Sequence, residues 1–170
     1  MAADELLLRQ APHSPQAEQA VLGSMLIDGN CVKDVMDQLQ ADDFYLRQNR
    51  EIFETIAHMF VYSQPVDGVT VAGEMEKNGL YTEATRPYLL QLMEVTPTAA
   101  NVARYAAIVQ EKSMLRGLNQ AATDIQQMVS EEVGTPAEML ESAEKKIYAL
   151  RKGERGDSLE HIGTTLHKVF

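Results

Sequence analysis

Residues 98–138, TAANVARYAAIVQEKSMLRGLNQAATDIQQMVSEEVGTPAE, decide the fold. From Thr98 to Ser130 there is no proline, and one periodic pattern persists for about 30 residues, roughly 45 Å at 1.5 Å per residue. Ile108, Leu115, Ala122 and Val129 recur every seventh residue, Leu118 and Ile125 fall between them, and Met114, Ala121 and Met128 widen the stripe. Gly134 stops this helix. Thr135-Pro136-Ala137-Glu138 then has the form of a capping box with proline at the first helical position, so a second helix starts there. Its apolar residues Leu140, Ala143, Ile147 and Leu150 keep helical spacing, and a connection of about five residues forces the two helices antiparallel. The stretch predicts a helical hairpin over residues 98–152.

Two helices enclose no core by themselves, and a stripe three positions per heptad wide is broader than one partner helix requires. A second hairpin would cover it. That predicts self-association into a four-helix arrangement through Met114, Leu115, Leu118, Ala121, Ala122, Ile125, Met128 and Val129, joined by Leu140 and Ile147. The other possible cover is the rest of the chain, with the stripe folded back onto it.

Upstream, residues 12–28 read PHSPQAEQAVLGSMLID. Ser14 can accept from a free N–H at a helix start and Pro15 suits the first helical position. Gly23 costs about 1 kcal/mol against alanine inside a helix, which a close approach of another helix would offset. Otherwise the glycine marks an early helix end. A short second helix carries Val32, Val35, Met36 and Leu39, and a third carries Ile52, Phe53, Ile56, Met59 and Phe60 as its inward stripe. Asp67 caps a fourth, which Gly79-Leu80 closes as a left-handed C-cap, and Thr85 to about Thr96 forms a fifth with Tyr88, Leu89 and Leu92 inward. Residues 1–13 are an N-terminal arm, and 14–97 a compact helical head. Residues 153–157 read as a flexible linker. In residues 158–170, Leu159, Ile162, Leu166, Val169 and Phe170 share one apolar face, the mark of an amphipathic linker helix that docks onto something else. The fold class is all-α.

Composition narrows the function. A hydrophobic content of 45% supports a folded core, while 15 basic against 25 acidic residues, a formal net charge of −10, argues against a domain that grips phosphate backbones. Cys31 is the single cysteine, so no intrachain disulfide framework exists and a reducing cytoplasm is expected. No apolar run approaches the roughly 20 residues of a bilayer span, and no signal peptide opens the chain. G-x-x-x-x-G-K-[ST] is absent, and His13, His58, His161 and His167 are scattered without metal-ligand spacing. No catalytic, cofactor-binding or metal site is expected. Lys145, Lys146, Arg151, Lys152 and Arg155 gather near the end of the second hairpin helix, where they suit its macrodipole and could also touch an acidic or nucleic-acid partner.

Several blocks resemble, in order, the N-terminal domain of DnaB-type bacterial replicative DNA helicases: PHSPQAEQAVLGSMLID, DDFYLRQNREIF, PVDGVTV, YLLQL and PTAANVARYAAIVQEKSMLRGL, together spanning about residues 10–118. Departures are Pro15 and Gln16 in place of an aliphatic and an acidic residue, Asn49 where histidine is common, and Thr85-Arg86-Pro87 in place of a glycine pair.

The resemblance implies a non-catalytic domain that pairs through its hairpins, six copies forming a collar of three dimers that receives primase. It implies a following RecA-like ATPase domain, with ATP and magnesium confined to that motor. It further implies that Leu159 to Phe170 docks on a neighbouring subunit and in some members meets a helicase loader, that Tyr88 and exposed hairpin residues face primase, and that the domain is cytoplasmic with little direct contact to nucleic acid. Two other readings stay open: the helicase-binding C-terminal domain of a primase, and a free-standing dimeric helical adaptor.

Overall fold

The computed structural model describes residues 10–152, and their regular structure is entirely helical. Seven α-helices follow in order: α1 (Pro15–Ile27), α2 (Val32–Gln38), α3 (Arg47–Val61), α4 (Gly68–Lys77), α5 (Thr85–Glu94), α6 (Val102–Ser130) and α7 (Pro136–Lys152). Short 3₁₀ turns at Gly29–Cys31 and Ala41–Asp43 join α1 to α2 and α2 to α3. The chain divides into two compact units between Ser113 and Met114, so α6 contributes to both.

Local chemistry sets the helix ends in the first unit, the head. Ser14 accepts from the Ala17 N–H at 3.3 Å with Pro15 next to it, which starts α1. Asp67 and Thr70 satisfy each other's backbone N–H groups, a reciprocal cap that fixes the start of α4. That helix ends in a Schellman turn: Gly79 adopts φ +73°, its N–H reaches the Glu76 carbonyl, and the Leu80 N–H reaches the Met75 carbonyl at 2.8 Å.

The head's core is built from Val21, Leu22 and Met25 of α1, Val32 and Val35 of α2, Ile52, Phe53, Ile56 and Met59 of α3, Val71 and Met75 of α4, and Leu89 and Leu92 of α5. Phe44 is wholly buried with its ring 4.9 Å from that of Phe53. Phe60, expected inward, is 36% exposed, because it lies in the last turn of α3 where the chain leaves the core toward exposed Val61 and Tyr62. Gly23 lies mid-helix, and α1 runs on to Ile27, so it does not end the helix. A β-carbon there would collide with the Leu92 carbonyl oxygen and the Thr96 hydroxyl. The missing side chain therefore lets the α1 backbone approach both the Leu92 carbonyl of α5 and the Thr96 side chain just past its end.

Sequence spacing places the end of the head near residue 97. Instead the head continues into α6, whose Val102, Ala106 and Val109 enter its core, and Ser113 donates to the Asp43 carboxylate at 2.8 Å. These three apolar residues follow helical spacing on a face offset from the Ile108 seam, and burying them continues the core that α1 to α5 begin.

The second unit is the antiparallel hairpin. Gly134 has φ +82°, and Thr135 and Glu138 form the reciprocal cap that launches α7. The partners step in opposite directions along the two helices: Gly117 faces Leu150, Asp124 pairs with Lys146 at 3.5 Å, and Val129 shares an apolar depression with Leu140. No described helix is long and apolar enough to cross a membrane. The linker 153–157 and the segment 158–170, with Leu159, Ile162, Leu166, Val169 and Phe170, lie outside the described residues.

Candidate interaction surface

The hairpin's apolar stripe is divided by α7. At 100° per residue, Gly117, Ala121, Asp124 and Met128 share the side of α6 that α7 covers, and Leu115, Leu118, Ala122 and Val129 share the flank beside it. Burial agrees with this division. Ala121 is 5% exposed and belongs to the inside of the hairpin rather than to a free face, while Met114, Ile125 and Met128 are half-buried at the seam. Ala122 is exposed, as are Leu115 at 40%, Leu118 at 44% and Val129 at 58%. On α7, Met139, Ala143 and Leu150 turn inward and Leu140 (65% exposed) and Ile147 (40% exposed) lie on the adjoining flank.

In an antiparallel pair the two flanks, each offset in the same rotational sense from the contact line, come out on one side of the hairpin. Val129 and Leu140 accordingly line one open depression of about 620 Å³, with Ile125, Pro136, Met139 and Ala143 as its other apolar walls. The result is a continuous aliphatic face on which Leu115, Leu118, Ala122, Val129, Leu140 and Ile147 remain in water. Isolated surface leucines are ordinary, but a contiguous ridge of this kind marks an interaction surface.

A second arrangement lies in the head. The Glu18 carboxylate, 1% exposed, accepts from the Tyr45 N–H at 2.7 Å and from Asn49 Nδ2 at 2.8 Å. Asn49, fully buried, accepts in turn from the Tyr88 hydroxyl. The carboxylate thus sits at the start of α3, whose Leu46 N-cap offers no side-chain acceptor, and its charge suits the positive end of that helix. Tyr88 is half-buried and its hydroxyl points into this network, and burial pushes its phenol above the ordinary tyrosine value. Tyr88 and Asn49 each stand out in the sequence, one as an inward aromatic and the other as a departure from a family pattern, but neither spacing nor motif connects them to Glu18. The available signal is a glutamate, an asparagine and a tyrosine at helical positions otherwise flanked by core residues.

The same helical architecture recurs in known proteins. The family model described as DnaB-like helicase N terminal domain matches residues 10–111. The replicative DNA helicase DnaB of Mycobacterium leprae (strain TN) is 38% identical over 143 residues, covering 82% of this chain and 24% of the relative. That of Pasteurella multocida (strain Pm70) is 33% identical over 163 residues, covering 94% of this chain and 35% of the relative. The chain therefore spans about a quarter to a third of the length of the curated relatives it matches. Among solved structures, the N-terminal domain of DnaB helicase from Mycobacterium tuberculosis superposes with a TM-score of 0.78 at 37% identity, covering 82% of this chain and 99% of that one. The N-terminal domain of DnaB helicase from Helicobacter pylori, described together with its interactions with primase, shares the fold at a TM-score of 0.60 and 22% identity, covering 68% of this chain and 90% of that one. Family match, relatives and superposition agree: the chain belongs to the DnaB-like helicase N-terminal domain family.

Proposed function

We propose that this chain is the assembly and primase-recruitment domain of a hexameric, ATP-dependent replicative DNA helicase, with no substrate chemistry of its own. The observation that carries the reading is the aliphatic face of the hairpin, with Leu115, Leu118, Val129, Leu140 and Ile147 all exposed. Its mechanism is geometric. Pairing of two hairpins over that face buries the exposed leucines at about 25 cal/mol per Å², and three such pairs form a collar. The collar presents head and hairpin surfaces to primase, a reading supported by the Helicobacter pylori domain's described interactions with primase. ATP and magnesium belong to a motor domain in the remaining length of such helicases, not to this chain, and the segment 158–170 serves as a docking segment for a neighbouring subunit or a loader. The setting is the bacterial cytoplasm, and the formal charge of −10 keeps direct contact with nucleic acid small.

The test is solution mass across concentration for the 170-residue chain, by light scattering and sedimentation equilibrium, with Leu118→Glu and Ile147→Glu beside it. Dimers or larger assemblies are expected for the unaltered chain and monomers for both variants, with unchanged helical content. A strict monomer at high micromolar concentration would overturn the assembly role. Recruitment is tested by calorimetric titration with the cognate primase, where absence of binding to an assembled collar refutes it.

A further inference from the structure

The charges of α7 from Glu138 to Arg151 divide into two groups. Glu138 is held in the cap with Thr135, Glu141 pairs with Lys145 at 3.4 Å, and Lys146 pairs with Asp124. Glu144 and Arg151 are exposed and have no partner among the described residues. They are opposite in sign and seven residues apart, so they fall on one edge of the helix about 10 Å apart along its axis. Between them on the aliphatic face lies Ile147. The opposition of Gly117 to Leu150 and of Asp124 to Lys146 sets Ala122 abreast of Ile147, with Leu118 one turn away, so the bracketed position is also the middle of the exposed apolar strip near the hairpin's base.

An edge that carries a negative and a positive charge equidistant from its centre is complementary to a copy of itself turned end for end. We propose that the hairpin face receives a second copy of this chain with the two α7 helices antiparallel about a twofold axis passing between Ile147 and Tyr148, so that each Glu144 meets the Arg151 of the other copy. This deepens the assembly reading above and rests on it. Apolar burial around Ile147, Leu118 and Ala122 supplies the affinity, while the two charge pairs fix register and direction. A parallel arrangement, or a slide of one helical turn, loses both pairs. The twofold axis doubles the effect of every substitution, since one reversal places like charges together at two symmetric positions.

The experiment measures the dimer dissociation constant by sedimentation equilibrium for the 170-residue chain and for Glu144→Arg, Arg151→Glu and the double variant. Both residues are exposed and unpartnered among the described residues, so the fold tolerates each reversal, which thermal melting by circular dichroism verifies. Each single reversal is expected to weaken dimerisation about tenfold or more, and the double reversal to restore it to within about threefold, the pattern of a directly coupled pair. A dimer indifferent to both reversals, or a double variant as weak as the singles, overturns this register while leaving hairpin assembly standing. An unaltered chain that stays monomeric overturns assembly and the register with it.

Discussion

Asn49 Nδ2 donates to Glu18 Oε2 at 2.8 Å, and both residues are buried between α1, α3 and α5. The carboxylate also takes the Tyr45 N–H, and Asn49 takes the Tyr88 hydroxyl, so one acidic group organises polar atoms from three helices and a turn. Replacing Glu18 with alanine strands these donors in a dry setting. The expected cost is about 3 kcal/mol, read as a lowered urea midpoint with an unchanged slope. A loss below about 0.5 kcal/mol would show that the network is not needed for the fold.

The glycines separate into predictable classes. Gly23→Ala gains helix propensity but drives its methyl into the Leu92 carbonyl, a backbone atom with no freedom to retreat, and into Thr96. A net destabilisation of about 2 kcal/mol is expected. Gly117→Ala meets only the far end of the Leu150 side chain, at 2.5 Å from Cδ2, which can rotate away, so its effect stays within about 1 kcal/mol of zero. Gly73 has no neighbour within 4 Å and sits inside α4, so Gly73→Ala stabilises by up to about 1 kcal/mol. Equilibrium unfolding of the three variants checks the order.

At the hairpin turn Gly134 holds φ +82°, and a β-carbon added there also collides with the Glu138 carboxylate. Gly134→Ala combines left-handed strain with disruption of the Thr135 and Glu138 cap, at an expected cost of about 2 kcal/mol. Hydrogen exchange of the α7 amides in the first turn reports the loss directly. Unchanged protection there would contradict the turn geometry.

Cys31 is buried, and burial, with the nearby Asp28 carboxylate as a lesser cause, pushes its thiol up from 9.0 to about 11. The folded state therefore holds this proton more tightly than the unfolded state. The associated stability is complete below pH 9 and is lost as the pH rises through about 11. Cys31→Ala should flatten the decline in stability across that window. At about pH 8, just below the ordinary thiol range, the native thiol should react with a disulfide reagent far more slowly than the unfolded one, and equal rates would place it at the surface.

Much of this architecture is legible in the sequence because its signals are local. Ser14-Pro15, Asp67, Gly79-Leu80 and Thr135 with Glu138 act within one turn of the chain, and each forms the cap that its spacing predicts, with Thr70 added by the structure as the reciprocal partner of Asp67. Gly23 is legible as a close approach, although the identity of the approaching group, Leu92 and Thr96, depends on packing between elements far apart in the chain. Ala121 shows where periodicity stops informing. A stripe of small and apolar residues states that a face is covered, but not whether α7 or another molecule covers each member. The same holds for Val102, Ala106 and Val109, whose spacing fits a helix face and whose burial in the head follows only from how α1 to α5 leave that side open. Glu18 is least legible of all, because a glutamate in the first turn of a helix ordinarily faces solvent.

The head's core closes on the first turns of α6, and that has a consequence for how the hairpin comes to exist. An isolated helix carries a large nucleation penalty, and two helices with a half-exposed apolar stripe recover little of it. Here Val102, Ala106 and Val109 are fixed by long-range packing, so the rest of α6 grows from a turn that is already ordered. Folding of the head thus serves as a template for elongation, and residues 114–152 on their own should show a broad, weakly cooperative thermal transition even though every cap within them is intact.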